Sequence, residues 1–342
     1  MCKGYGRYLD TLSLGALVEC SCLAHTTLGR RHKMRKLLLS LVAMVFVATS
    51  VQAKEVTLLM DWFPQGNQSV FWQAMLDNDN HDLKINVKPG GPGVNTTAMT
   101  AAGSVEFGLQ ASDSVMSANA KGAGLVAIFA NLDHVPYSLV FHPDQGIKTV
   151  QDLDGRRFAV KMGVTYWKWV KKEYNISADE FPLKGDLGLF AREKEMFQQG
   201  YSLFLPARLA AKGVETDQIK IADLGYRPYS VLFTTQKMID ENPELVQEVV
   251  DRLRAAFAKS LNNPKPTMDL ILSKSKKVGP EIHMNAINLM KAEFLPSDYS
   301  KLGCMESARW EELAGQLKDV DMVPADFDAS SSYNLSFLGN CE

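Results

Sequence analysis

Short apolar runs alternate with stretches of helical spacing along the first part of this chain. Val56 to Met60, Leu83 to Val87, Val105 to Leu109 and Leu125 to Ala130 read as buried strands. Between them, Gln68 to Leu76 brings Phe71, Trp72, Met75 and Leu76 towards one side, which predicts a helix. Asn95 is placed to cap a helix over Thr96 to Ala102, and Ser112 to cap one over Asp113 to Lys121. The cluster Pro89-Gly90-Gly91-Pro92-Gly93 marks a turn; it lacks the Lys-Ser/Thr that a phosphate-binding loop needs. Such alternation implies an α/β sheet covered by helices on both faces, with ligand sites at the carboxyl ends of its strands.

The pattern then restarts. Tyr137 to Phe141 is extended, Ile147 to Asp154 a helical turn and loop, and Arg157 to Val160 a strand. Trp167 to Tyr174 and Ala191 to Gln199 read as helices, and Tyr201 to Lys212 as a strand-to-helix passage. Ile219 to Ala222 is a strand, and Pro228 to Thr234 runs back as an extended segment. Asn242, Pro243 and Glu244 open the clearest amphipathic helix, with Leu245, Val246, Val249, Val250, Leu253, Ala256 and Phe257 at helical spacing. Asp269 to Leu272, Pro280 to Lys291 and Ser307 to Leu317 are helical, before a loosely patterned tail after Val323. There are no repeats and no low-complexity linker. Two lobes joined by two extended crossings, near 137–141 and 228–234, would show none.

Ahead of the first strand, Arg35 and Lys36 precede an apolar run from Leu37 to Val47 and the small-x-small site Val51-Gln52-Ala53. Met34 to Ala53 therefore reads as a secretory signal, and the mature chain as beginning near Lys54. The run is shorter than the roughly 20 residues of a spanning helix. Residues 1–33 read as an extension from a misassigned start codon, with Met34 the true first residue. Glu19 before Cys20 argues against a lipoprotein site, because that position calls for a small residue.

The first 53 residues hold seven of the 37 basic and two of the 39 acidic residues, so 30 basic and 37 acidic residues remain, a formal charge of −7. That balance argues against a nucleic-acid surface. The basic runs Lys168 to Lys172 and Lys274 to Lys277 read as solvated helix faces. Of five cysteines only Cys304 and Cys341 follow the signal; an oxidising compartment permits them to pair, and geometry decides whether they do. His81, His134, His142 and His283 have no metal spacing, and there is no G-x-S-x-G elbow. No metal, cofactor or catalytic residue is expected.

Five segments carry a family resemblance: Asp61-Trp62-Phe63-Pro64; Ala101-Ala102-Gly103-Ser104-Val105-Glu106-Phe107-Gly108; Gly146 to Arg157, GIKTVQDLDGRR; Phe197-Gln198-Gln199-Gly200-Tyr201; and Ala222 to Ser230, ADLGYRPYS. Their order and spacing over roughly Val56 to Leu261 resemble the SsuA/THI5-like (NMT1/THI5) family of periplasmic substrate-binding proteins of ABC importers. The resemblance implies a type II periplasmic binding fold, two α/β lobes with a ligand cleft between them. Residues 54–137 and 228–342 would form lobe I, and 138–227 lobe II. It further implies a periplasmic, monomeric solute receptor whose partners are an ABC permease and its ATPase. Family members bind taurine, alkanesulfonates, nitrate, riboflavin or a thiamine-precursor pyrimidine, and the motif wording here is closest to the pyrimidine and riboflavin binders.

Several residues are candidates for the ligand site. Trp62 follows a strand, where a planar heterocycle can stack on its indole or where it can be a core residue. Asn67 and Ser112 stand at helix starts, as hydrogen-bonding groups or as caps. Asp113 is favoured by the helix dipole in either case and would pair with a ligand amine in the sharper reading. Tyr166, Trp167 and Trp169 follow another strand end, with one expected to face the cleft and the others the core; Tyr166 and Trp167 are taken as site candidates. Tyr137, Tyr201 and Tyr226 are candidate walls. Aromatic residues outnumber charged ones at these positions, which favours an uncharged ring over a bare anion.

Two departures from the family bear on function. The glutamate that members often carry before the proline matching Pro206 is Leu205 here, which removes one carboxylate contact. The family's pyrimidine synthases, enzymes using pyridoxal phosphate, place His after the Asn matching Asn67, where this chain has Gln68, and they carry a cysteine-rich motif absent here. A solute receptor is therefore the first expectation, an enzyme or a periplasmic sensor the alternatives.

Overall fold

The structure is a computed structural model that describes residues 54–91, 93–185, 187–339 and 341; the expected signal Met34 to Ala53 and the extension before it lie outside the described residues. The first part forms β1 (Glu55–Leu59), α1 (Ser69–Leu76), β2 (Lys84–Lys88), α2 (Thr96–Ala101), β3 (Phe107–Ala111), α3 (Ser112–Asn119) and β4 (Leu125–Leu132). Then come β5 (Tyr137–Phe141), β6 (Arg157–Val160), α4 (Thr165–Tyr174), β7 (Asp179–Pro182), α5 (Leu187–Arg192), β8 (Phe197–Tyr201), α6 (Leu205–Ala210) and β9 (Asp217–Lys220). The chain closes with β10 (Ser230–Thr235), α7 (Gln236–Glu241), α8 (Pro243–Asn262), α9 (Lys265–Lys274), α10 (Pro280–Glu293) and α11 (Ser307–Asp319).

Two five-stranded sheets result, ordered β2-β1-β3-β10-β4 and β7-β6-β8-β5-β9. In each, one strand runs against its neighbours: β10 is antiparallel to β3 and β4, and β5 to β8 and β9. The arrangement is the expected pair of α/β lobes. Consecutive buried residues in β4, every one of which is shielded, fit a strand covered on both faces.

Local chemistry accounts for most element ends. The Asn95 side chain accepts from the Ala98 amide at 3.0 Å and caps α2 as expected. Gly90 lies so close to the first strand's exit that a Cβ would meet the Met60 carbonyl oxygen at 2.0 Å, and its amide donates to the Trp62 carbonyl at 3.0 Å. The glycine turn thus holds the Asp61-Trp62 loop in place. The amphipathic helix α8 buries Val246, Val249, Val250, Leu253, Ala256 and Phe257. Its buried Arg252 lies against α1 and donates to the Ala74 carbonyl at 2.7 Å, to Asn78 Oδ1 at 3.0 Å and to the Leu83 carbonyl, which replaces the water its guanidinium loses.

The segment 191–199 differs from expectation. Helix α5 ends at Arg192, and Phe197 begins β8, a strand inside the second sheet. The charged Glu193-Lys194-Glu195 imitates a helix face, but Phe197 stacks on Phe158 of β6 with ring centroids 4.2 Å apart, and tertiary packing overrides the local pattern. Strand β7 was not expected either. It is a polar edge strand ending in Pro182, so it carries no apolar run.

The two chain crossings between the sheets are tied together. Arg309 of α11 donates to Asp133 Oδ1 at 2.5 Å, to the Asp133 carbonyl at 2.7 Å and to the Arg227 carbonyl at 2.9 Å. Arg227 in turn donates to Asp133 Oδ2 at 2.9 Å. Burial opposes the Asp133 charge, but the His134 hydrogen bond and the Arg309 guanidinium hold its carboxyl well below the usual range. Cys304 and Cys341 form a disulfide that fastens the tail, where Leu338 is fully buried, to the segment before α11. The bond closes a loop of 37 residues. Chain-entropy reasoning assigns such a loop roughly 2–4 kcal/mol, so Cys304→Ser with Cys341→Ser should lower the melting temperature by several degrees. Calorimetry of the wild type with and without reductant should give the same drop, and an unchanged melting temperature would show the tail is held by packing alone.

Candidate ligand cleft

The strand directions bring the loops that carry the candidate residues to one edge of each sheet. Asp61 and Trp62 follow β1, and Ser112 and Asp113 follow β3. Because β10 is antiparallel to β3, with Ser230 opposite Ala111, the segment 226–229 enters at that same edge. In the second sheet Tyr137 begins β5 directly opposite Tyr201 at the end of β8, and Tyr166 follows β6. In open α/β sheets these carboxyl edges are where a ligand site is placed, and Asp61 and Asp113 of the first sheet act electrostatically on Tyr137 and Tyr201 of the second.

Tyr137, Tyr166 and Tyr201 make an aromatic wall. The Tyr137 ring lies 4.6 Å from that of Tyr166 and 5.6 Å, edge-on, from that of Tyr201. Opposite them, Asp113 is 1% exposed, accepting from the Tyr226 hydroxyl at 2.8 Å and from the Ser114 amide at 2.6 Å. Burial raises its pKa despite these bonds. Burial also pushes the Tyr137 and Tyr201 phenols well up, and the charges of Asp113 and Asp61 add to that shift. Both carboxylates therefore act electrostatically on both tyrosines.

Several buried polar atoms at this edge have no hydrogen-bond partner among the described residues: Asn67 Oδ1, Gln68 Oε1, Ser112 Oγ, Asn131 Oδ1 and Tyr166 OH. Leaving such a group unmet costs about 1–3 kcal/mol; buried atoms elsewhere among the described residues, such as Trp72 Nε1, Thr100 Oγ1 and His283 Nε2, are unpartnered as well. Ser112 is not the cap expected of it. It is the first residue of α3, Ala111 takes the cap position, and the Ser112 hydroxyl is free for other contacts.

The other candidates fall at different depths. Trp62 stands at the rim, 38% exposed, with Phe63 edge-on at 5.5 Å. Within α4 the side chains fan out by about 100° per residue. Tyr166 and Trp169 share a side, with Trp169 5.2 Å from Tyr226, whereas Trp167 turns into the second lobe's core against Phe158 and Phe197. Leu205 is buried in that lobe and fills the space that a Cβ on Gly200 would need, at 2.4 Å from its Cδ2.

Asp61 is a cleft residue that the sequence reading passed over. It accepts from Gln68 Nε2 at 3.0 Å, and burial lifts its pKa to about 6, opposed by the Gln68 bond and by the charge of Lys161 from the other sheet. Its position immediately after β1, beside Trp62, was the available signal. A carboxyl whose folded pKa exceeds its unfolded value keeps more protons in the native state, so its contribution to stability is lost as pH rises from about 4 to about 6. Asp61→Asn should flatten that decline and stabilise the protein at pH 7.5 by about 2–3 kcal/mol. Urea unfolding at pH 4.5 and 7.5 measures this; a variant no more stable than wild type at pH 7.5 would show that Asp61 is well solvated.

Among curated proteins the chain is similar to 4-amino-5-hydroxymethyl-2-methylpyrimidine phosphate synthase of Legionella pneumophila, 23% identical over 315 residues, covering 85% of this chain and 95% of that one. It is also similar to the riboflavin-binding protein RibY of Chloroflexus aurantiacus, 20% identical over 252 residues, 68% of this chain and 70% of that one. Among solved structures it shares its fold with the ligand-binding component of an ABC-type import system from Staphylococcus aureus, with a TM-score of 0.64 at 12% identity, covering 84% of this chain and 99% of that one. The family model described as NMT1/THI5 like matches residues 79–267, more than half of the sequence, and the chain belongs to that family.

Proposed function

We propose that this protein is an extracytoplasmic solute receptor that binds a small planar heterocycle in the interlobe cleft and delivers it to an ABC permease and its ATPase. Residues 54–137 and 228–342 serve as lobe I and 138–227 as lobe II, exported as a monomer by the signal Met34 to Ala53. The periplasmic-binding fold supports a solute-binding role. The observation that carries the heterocycle is the wall of Tyr137, Tyr166 and Tyr201, with Trp62 at the rim. A flat ring between aromatic faces buries apolar area on both sides, and edge groups then meet the unpartnered polar atoms. Lobe closure removes water from the bound ring and presents the form that a permease recognises.

Two relatives support the class of ring, one named for an aminopyrimidine product and one for riboflavin. A thiamine-type pyrimidine precursor is the first choice and a flavin the second. Taurine, alkanesulfonates or nitrate fit less well. Asp61 and Asp113 occupy the cleft edge, and an anion would meet their charges there.

An enzymatic reading has one point in its favour, the name of the Legionella relative. Against it, Gln68 stands where the family's synthases place a histidine, and its amide nitrogen is committed to Asp61. An amide does not supply the acid-base chemistry of an imidazole.

A thermal-shift panel of pyrimidine precursors, thiamine, riboflavin, taurine, alkanesulfonates and nitrate tests the proposal. A ligand at a hundred times its Kd adds about 2.7 kcal/mol, a shift of a few degrees. Pyrimidines or flavins alone should stabilise the protein, and Trp62→Ala should weaken that ligand about tenfold without altering the unliganded melt. Stabilisation by sulfonates or nitrate alone would contradict the heterocycle.

A further inference from the structure

Of the four strands that end the two sheets, three carry residues that discourage pairing with another chain. Lys84 and Lys88 flank β2, Asp179, Glu180 and Pro182 lie in β7, and Asp217 and Lys220 flank β9. The fourth, β4, reads Leu125-Val126-Ala127-Ile128-Phe129-Ala130-Asn131-Leu132, with no charge and no proline, a composition that invites edge-to-edge association. Every residue of it is nevertheless buried.

Two later segments cover the edge of β4 that faces away from β10. Gly303 makes an antiparallel bridge to Ala130, whose amide donates to the Gly303 carbonyl at 2.9 Å. Tyr333 makes a parallel bridge to Ala127, whose carbonyl accepts from the Asn334 amide at 2.9 Å. At the start of the strand the Asn119 side chain accepts from the Leu125 amide at 2.8 Å and donates to its carbonyl at 2.7 Å. The same amide nitrogen reaches Ser332 Oγ at 3.0 Å, which ties this end to the tail as well. Gly303 has a φ of +88° and a Cβ there would collide with the Phe129 ring, so glycine is what lets that segment approach the strand.

The covering segments are fastened to each other. Their covalent link is the disulfide, with Cys304 next to Gly303 and Cys341 beyond Asn334. Arg254 of α8 adds a second tie, donating to the Leu302 carbonyl at 3.2 Å and to the Leu338 carbonyl. The Tyr333 ring stacks on Trp310 of α11 at 5.0 Å.

We propose that the tail, 328–339 with Cys341, is a detachable cover, that the disulfide keeps it on its own chain, and that the β4 edge beneath it is a pairing site for the tail of a second copy. Once the bond is open, a neighbour's tail can make every contact that the chain's own tail makes, so two copies exchange tails. Cys341 of one copy then meets Cys304 of the other. The closed bond forbids the exchange and so keeps the chain monomeric, whatever the cleft binds. Opening it takes a dithiol reductant, which supplies two electrons and two protons, leaves thiols at Cys304 and Cys341, and ends as a disulfide itself. Each bond formed in the exchanged pair returns two electrons and two protons to an oxidant such as oxidised glutathione.

Chromatography with light scattering tests the exchange on the full chain carrying Cys2→Ser, Cys20→Ser and Cys22→Ser, so that only Cys304 and Cys341 react. The oxidised chain should stay monomeric as it is concentrated. The chain reduced with dithiothreitol should form a dimer whose share rises several-fold over the same range. Cys304→Ser and Cys341→Ser forms of that chain are then mixed and treated with oxidised glutathione. Each keeps one cysteine, and tail exchange brings the two together, so the mixture should give several-fold more disulfide-linked dimer on a non-reducing gel than either form alone. If one of these forms does not fold, reduction and reoxidation of the concentrated chain with both cysteines carries the test, and a linked dimer is the expected product. A reduced chain that stays monomeric, an oxidised chain that dimerises equally, or aggregation without a dimer overturns the proposal. So does a mixture that cross-links no more than its parts, or reoxidation that returns monomer alone.

Discussion

The antiparallel strand β10, inserted between β3 and β4, is the constraint on which the architecture turns. The chain leaves the first sheet after β4, builds the whole second sheet, and must return along the edge it left from. Both crossings are thereby brought side by side, and the Asp133, Arg227 and Arg309 contacts fasten them together. The return also delivers Tyr226 to Asp113, 113 residues earlier in sequence. One topological choice thus pairs the two crossings and joins Tyr226 to Asp113.

Around that edge, as in the core, the fold buries polar groups at a cost. In the core, the Arg252 guanidinium meets two carbonyls and an amide oxygen, with its Nε unpartnered. What sets the cleft edge apart is two carboxyls with raised pKa beside such unpartnered groups. In the proposed receptor, stability given up at a site that a ligand completes would be recovered on binding, which would couple occupancy to lobe closure. The aromatic wall would supply the apolar area.

Much of this was legible in the residues. Strand periodicity located most strands of the first sheet, and the helical spacing of Leu245 to Phe257 located α8, because in both cases one physical face is buried. The tyrosines at or near strand ends were recognisable as candidates, and the structure brings Tyr137, Tyr166 and Tyr201 together. What escaped was decided by contacts distant in sequence. Strand β8 follows a charged segment with helical character and exists because Phe197 packs on Phe158. Trp167 and Tyr166 are adjacent in sequence yet face different surroundings, a distinction set by the rotation of α4. Asp61 looked like part of a loop motif, since its burial depends on a glycine turn and a second lobe that no local pattern announces.

The crystal structure of the protein with the first heterocycle that stabilises it tests the central claim most directly. The ring is expected in the interlobe cleft, against the wall of Tyr137, Tyr166 and Tyr201. A ligand seated outside the cleft, or held in it with no contact to the tyrosine wall, would contradict that claim.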